Sequence, residues 1–337
     1  MTASTFAPID HPSAWRAADV ADSPAWRVRL APEAAAELAG GAARTDRASL
    51  ASITASPVDR AAFPAAAAQL AAIEREVMLG RGFVLLNGLD PGLDDGMLKA
   101  CYWIIANLLG TPLSQNSYGD LLCDVIDTGK KIGEKRVRGY QTNADLKFHT
   151  DRADIVGLLC VRKAMRGGSS SISSAVTAYN ELLRRRPELL VPLTEGLYYM
   201  NVEEGGDSSL KRVPIFDLRD GVLSCRYSRN TMATAMLNGA PFTELEKEAL
   251  DALDALAADP ALRLDMTLER GDIQLINNYT TLHARTAFED YPDPRLKRCK
   301  TRAWMRSLSG RPVGPHFDDY AGVPVTLERE IARRAAV

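Results

Sequence analysis

The run Lys147-Phe148-His149-Thr150-Asp151 sets an imidazole and a carboxylate two residues apart in a half-apolar, strand-like stretch. On a β-strand those two side chains face the same way. A neutral imidazole and a carboxylate are two of the three ligands of the facial triad that holds Fe(II) in non-haem oxygenases, leaving coordination positions open for a cosubstrate and O2. The chain has three other histidines, His11, His283 and His316. His283 closes a second apolar, strand-like segment that starts at Leu275, and it is the natural third ligand. An isolated His-x-Asp triplet is common, and the same three donors would also suit Zn(II) in a lyase or hydrolase, or a cupin-like binding protein without turnover.

The arginines beyond His283 bear on which chemistry it is. Arg298 and Arg302 lie on a strand that runs into Ala303-Trp304-Met305. A 2-oxo acid that chelates iron through its C1 carboxylate and keto oxygen needs its far carboxylate anchored, and a guanidinium offers a permanent charge with bidentate geometry. The plain alternative is that these arginines pair with surface acids such as Glu289 and Asp290. Further cations could meet an anionic substrate: Arg226 and Arg229, and the basic stretch Lys130 to Arg138, which is either a lid or a solvated loop. Gln141 and Asn143, just ahead of the His149 strand, are placed to line a pocket.

The elements that must position these groups follow from periodicity and turn chemistry. Residues 1–25, rich in Ala, Ser, Pro and Asp without a period, read as an irregular arm. Trp26 to Leu30 alternates as a strand, and Pro32 opens a short helix expected to stop at Gly40-Gly41. An Ala-rich helix from Pro64 to Leu79 precedes a buried strand, Gly82 to Leu86. Asp94-Asp95 caps a helix to Leu109. Ile155 to Val161 reads as a buried strand, and the Gly167-Gly168-Ser169-Ser170 turn leads into another. Helices follow over 175–186, 187–190 and 243–258, the last with a Thr243/Glu246 capping box. Short strands are expected at 196–200, 212–216, 222–227, 266–268, 273–277 and 301–308, and a helical tail from Val325 to Ala335. This pattern is mainly β with flanking helices, an α+β chain whose core is a sandwich or barrel. It predicts one domain over 26–337, with a helical buttress mostly over 31–110, a β core mostly over 80–308 and a tail over 309–337.

Composition narrows the partners. With 41 Lys and Arg against 43 Asp and Glu, the 337-residue chain has no charge excess to draw nucleic acid or an anionic membrane. Five scattered cysteines without a Cys-x-x-Cys spacing argue for buried thiols in a reducing compartment. No basic-then-apolar leader and no membrane-length apolar run is present, so a cytoplasmic protein is expected. Self-association into a homo-oligomer is left open.

Taken together, His149-Thr150-Asp151, Gly167-Gly168-Ser169-Ser170, Gly271-Asp272-Ile273, Asn277-Asn278 and His283-Ala284-Arg285-Thr286-Ala287-Phe288 through Arg298 and Arg302 resemble the taurine dioxygenase/clavaminate synthase-like superfamily of Fe(II)/2-oxoglutarate oxygenases. The likeness runs from about Gly80 to Leu308. It implies a double-stranded β-helix, or jelly roll, with His149, Asp151 and His283 as iron ligands and Arg298 holding the far carboxylate of 2-oxoglutarate. Ser170 stands where that superfamily usually has a threonine touching the same cosubstrate, and Arg302 where several members bind an acidic group of the substrate. The implied reaction consumes O2 and 2-oxoglutarate, releases succinate and CO2, and hydroxylates an unactivated C–H. Desaturation or cyclisation are alternatives, whereas Asp151 fills the position that halogenases of related chemistry leave open for halide. The expected substrate is a small carboxylate-bearing molecule, anionic or zwitterionic, such as an amino acid or natural-product intermediate.

Overall fold

A computed structural model describes residues 6–131, 139–200, 210–317, 322, 323 and 325. Most of the basic stretch at 130–138 and nearly all of the expected tail helix at 325–335 lie outside the described residues.

Two sheets form the core. The larger runs in the order Arg27–Arg29, Phe83–Asn87, Ile273–Asn277, Ile155–Arg162, Cys299–Ser307 and Gly110–Leu113, with Leu122–Val125 also paired to Cys299–Ser307. Its pairs are antiparallel except for the parallel pair made by Arg27–Arg29 and Phe83–Asn87. The smaller sheet is antiparallel, in the order Arg263–Met266, Ser170–Ser174, Thr281–Arg285 and Leu146–His149. This is the expected mainly β core with flanking helices.

Strand alternation explains why the core divides into three. Val84, Leu86, Ile155, Leu159, Ile273 and Leu275 point out of the larger sheet and pack under the helices Pro32–Ala43, Pro64–Leu79 and Asp95–Leu109. Their neighbours Phe83, Leu85, Val156, Cys160 and Ile276 point the other way and meet Ile172, Leu264 and Met266 of the smaller sheet. Leu282, on the outer face of the smaller sheet, packs with the helices Ala175–Arg185 and Glu244–Ala258. Because successive side chains on a strand face opposite ways, Leu282 outside puts His283 inside. All five cysteines are free and buried within these layers.

The helix caps fall where the sequence puts them. The Asp94 side chain accepts the Met97 amide at 2.8 Å, and Thr243 and Glu246 close a reciprocal capping box. Elsewhere local signals mislead. The helix Pro32–Ala43 runs through Gly40-Gly41 rather than stopping there. A Cβ on Gly41 would lie 2.5 Å from the Phe63 ring, so this glycine serves close packing rather than termination. Three helices fall outside the expected ones: Ala17–Val20 within the arm expected to be irregular, Leu50–Ala55, which Ser49 caps by accepting the Ser52 amide at 3.0 Å, and Arg229–Leu237, which buries only Met232 and Ala235. The strand expected at 266–268 lies at Arg263–Met266, where it pairs with Ser170–Ser174.

The N-terminal arm is tied to both layers. Trp15 is buried and donates its indole N–H to the Arg81 carbonyl at 3.0 Å, while Thr177 and Ser174 donate hydroxyls to the carbonyls of Trp15 and Ser13. No helix among the described residues is long and apolar enough to cross a membrane.

Candidate active site

His149 ends its strand directly opposite His283, so the two imidazoles stand side by side with ring centroids 4.2 Å apart. Asp151 lies just past the strand end and is brought back by the backbone. Its N–H donates to Asn278 Oδ1 at 2.8 Å, and Asn278 Nδ2 donates to the carbonyls of Asp151 at 2.6 Å and Ala153 at 2.9 Å. Asn278 is fully buried, so this three-point clamp is shielded from water. Between the two ligands, Thr150 is locked to Tyr227 by bonds in both directions, the Thr150 amide reaching the Tyr227 carbonyl at 2.7 Å.

The donor atoms converge. His149 Nε2 lies 3.9 Å from Asp151 Oδ1, and His283 Nε2 lies 3.7 Å from Asp151 Oδ2. One donor atom from each of the three residues lies within 4.8 Å of the others, close to the roughly 4.4 Å that two ligands bound at about 2.2 Å can span, so the set suits a single metal. Among the described residues this is the group of His, Cys, Asp or Glu side chains placed to hold one. The protonation states also fit. His149 Nδ1 is 2.8 Å from the Lys147 carbonyl, which can only accept, so Nδ1 carries the hydrogen and Nε2 presents a lone pair.

Burial, then the neighbouring His283, pushes the His149 imidazole down to about 4, although its side chain keeps 23 % of its surface open to the cleft. It is therefore neutral and ready to ligate at pH 7. Burial alone would raise the Asp151 carboxyl, but Arg302, His283 and His149 outweigh it and hold it well below the usual carboxylate range. Its Oδ2 accepts from Arg302 Nη1 at 3.1 Å and from Trp304 Nε1 at 2.9 Å. Arg302 is itself fixed by its Nε bond to Gln115 Oε1 at 2.7 Å. With Oδ2 doubly bonded, Oδ1 is the oxygen left for a metal.

His149 and Asp151 lie where two cavities meet, and His283 lines the inner one. The inner cavity, running between the sheets, is lined by Val156, Leu158 and Ile276 and carries Ser170, Arg285 and Arg298. An outer cleft is bordered by Arg152, Ser228, Arg229, Asn230, Thr231 and Thr234. Tyr140 and Arg302 line both.

Arg298 is almost fully buried, and its side chain makes one hydrogen bond among the described residues, from Nη1 to the Val125 carbonyl at 3.3 Å. Burial pushes its guanidinium down to about 10, still charged at pH 7. Room for it comes from the paired glycines. Both have positive φ, a Cβ on Gly167 would strike the Ala287 carbonyl at 2.3 Å, and one on Gly168 would sit 3.2 Å from Arg298 Nε. Ser170 follows that turn and pairs in register with Arg285.

The other expected substrate contacts lie elsewhere. Arg226 is buried outside both cavity linings, donating to the His316 carbonyl and stacked over Tyr199. Gln141 ends a short 3-10 helix and its carbonyl accepts from Thr128, while the Asn143 carbonyl accepts from the Phe288 amide. Neither side chain lines either cavity. Three residues to which the sequence assigns no role do sit at the site: Asn278, Trp304 and Arg285. Arg285 had a signal, since it is two residues past His283 and so on the same strand face. Trp304 likewise follows Arg302 by two.

A family model described as taurine catabolism dioxygenase TauD, TfdA family matches residues 46–300. FR-33289 synthase of Streptomyces rubellomurinus (strain ATCC 31215) is 35 % identical over 320 residues, covering 90 % of this chain and 92 % of the relative. Among solved structures, asparagine oxygenase with Fe(II), 2S,3S-3-hydroxyasparagine and succinate superposes with a TM-score of 0.64 at 21 % identity, over 83 % of this chain and 93 % of that one. The non-haem iron oxygenase OrfP with Fe and alpha-ketoglutaric acid gives 0.62 at 15 % identity, over the same shares.

Proposed function

The chain belongs to the TauD, TfdA family of dioxygenases, and from that premise we propose that it hydroxylates a C–H bond of a small anionic or zwitterionic substrate seated in the outer cleft. The observation that carries this reading is the convergence of the His149, Asp151 and His283 donors at the mouth of an arginine-ended inner cavity, with His149 and Asp151 also bordering a polar outer cleft. In this family Fe(II) with 2-oxoglutarate and O2 supplies the oxidising chemistry: one oxygen atom goes to succinate as CO2 leaves, and the other to the substrate as R–H becomes R–OH.

The protein's share is coordination and placement. His149 offers Nε2 because Lys147 holds its other nitrogen, and Asp151 offers Oδ1 because Arg302 and Trp304 hold Oδ2. In this reading Arg298 anchors the far carboxylate of 2-oxoglutarate and Ser170 adds a hydroxyl beside it. Arg302 is committed to Asp151 and Gln115 through Nη1 and Nε, which leaves Nη2 at the junction of the cavities for a substrate anion. Arg229 is already paired with Asp251 at 2.7 Å and Asp254 at 3.4 Å, so Arg152 and the polar side chains of Ser228, Thr231 and Thr234 are what make the outer cleft suit a carboxylate or another oxyanion. A relative 35 % identical that is named as a synthase favours a biosynthetic intermediate as substrate.

Anaerobic addition of Fe(II) and 2-oxoglutarate is expected to give a visible charge-transfer band that Arg298→Ala loses at modest cosubstrate concentration. No band with iron loaded, or turnover with Zn(II) in the absence of O2, would overturn the proposal.

A further inference from the structure

The charges lining the inner cavity do not balance. Arg302 is matched by Asp151 at 3.1 Å. Arg285 and Arg298 are respectively 6 % and 2 % exposed, and neither forms an ion pair among the described residues. Arg285 gives only Nη2 to protein, to the carbonyls of Thr142 and Ala144, while its Nε and Nη1 are buried without a partner. Asp127 and Asp145 act on it only at a distance, and Asp290 spends one oxygen on the Arg298 backbone N–H. Both guanidiniums rest against the same ring, at 4.9 Å and 4.8 Å from the Phe288 centroid, which compensates part of one charge rather than two. A buried cation left this way is costly unless an anion arrives to pair with it.

Register says where that anion would be. Arg285 faces Ser170 across the smaller sheet, and on its own strand it follows His283 by two residues. It therefore stands on the cavity side, at the end away from the metal ligands, beside Arg298. We propose that Arg285 supplies a second positive charge to the far end of the cosubstrate pocket, so that 2-oxo acid selection there depends on two guanidiniums rather than on Arg298 alone. This rests on the reading of the site as a 2-oxoglutarate site.

Calorimetric titration of the Mn(II)-loaded protein, without O2, compares 2-oxoglutarate with 2-oxovalerate, which chelates identically but lacks the far carboxylate. In Arg285→Gln the Kd for 2-oxoglutarate should rise about tenfold or more while that for 2-oxovalerate moves less than about twofold, and Arg285→Lys should recover most of the difference. A ratio of the two Kd values unchanged from wild type would refute the proposal and point to a purely structural arginine. If Arg285→Gln does not fold, Arg298→Gln provides the second measurement: it should keep a residual preference for 2-oxoglutarate, and complete loss of preference would assign the whole effect to Arg298. Failure of wild type to bind 2-oxoglutarate at all would instead sink the assigned function, so the two failures are distinguishable.

Discussion

Trp304→Phe isolates one hydrogen bond to the Asp151 carboxylate, the proposed metal ligand. The indole N–H donates to Asp151 Oδ2 at 2.9 Å, and a phenyl ring keeps most of the packing and the stacking under Arg302, whose Cζ lies 4.7 Å from the indole centroid. A hydrogen bond to a charged group contributes about 1.5–3 kcal/mol. Arg302 still holds the same oxygen at 3.1 Å, so the lower end applies, about 1.5 kcal/mol, or roughly tenfold in an equilibrium constant. That falls at the bottom of the roughly 10–100-fold range for losing a partner of a metal ligand. Anaerobic titration with Mn(II), read by the loss of the free-ion EPR signal, should therefore show a Kd about tenfold weaker. The metal-free variant should lose roughly 1–2 kcal/mol of stability from the smaller ring, read as a lower urea midpoint. Combining it with Arg302→Gln should cost more than the sum of the two, because Oδ2 would then have no donor. If Trp304→Phe binds Mn(II) within twofold of wild type, the claim that this bond fixes which carboxylate oxygen meets the metal is wrong.

Three other substitutions test other parts of the design. Asn278→Ala leaves the Asp151 amide and two carbonyls unpaired in a buried site, which should cost roughly 3 kcal/mol in urea unfolding and weaken Mn(II) binding as well. Gly168→Ala forces a side chain into φ +70° and sets a methyl 3.2 Å from Arg298 Nε, so KM for 2-oxoglutarate should rise several-fold with a loss of about 1 kcal/mol of stability. Glu181, whose carboxyl is held down to about 2 by Arg184, with Arg16 assisting, stabilises the fold fully above its unfolded pKa near 4.5, and that contribution is lost as pH falls towards 2. Its arginine partners are 48–65 % exposed, so solvent screening trims the effect to about 1 kcal/mol, and Glu181→Gln should flatten the acid-side fall in urea midpoint between pH 4.5 and 2.

What was legible in the chain was local. The His149-x-Asp151 spacing, the helix caps at Asp94 and Thr243, and the glycine pair before Ser170 each depend on a few neighbouring residues, and the structure has the corresponding elements at those positions. Local reading erred where a residue's meaning depends on something distant in sequence. Gly41 reads as a helix stop, yet Phe63 and Ile104 press against it and make glycine a packing requirement inside the helix.

The sequence by itself determined the kind of candidate site: side chains of types that can ligate a metal, their order along the chain, and an arginine downstream with the chemistry to anchor an acid. Only the tertiary structure decided how those parts share charge. Periodicity says which residues share a strand face, but not which strand lies opposite, because register is set by long-range pairing. That pairing put His283 opposite His149, Arg302 and Trp304 on one oxygen of Asp151, and Asn278 under its backbone. It also left two buried guanidiniums beside Phe288 without a carboxylate of their own.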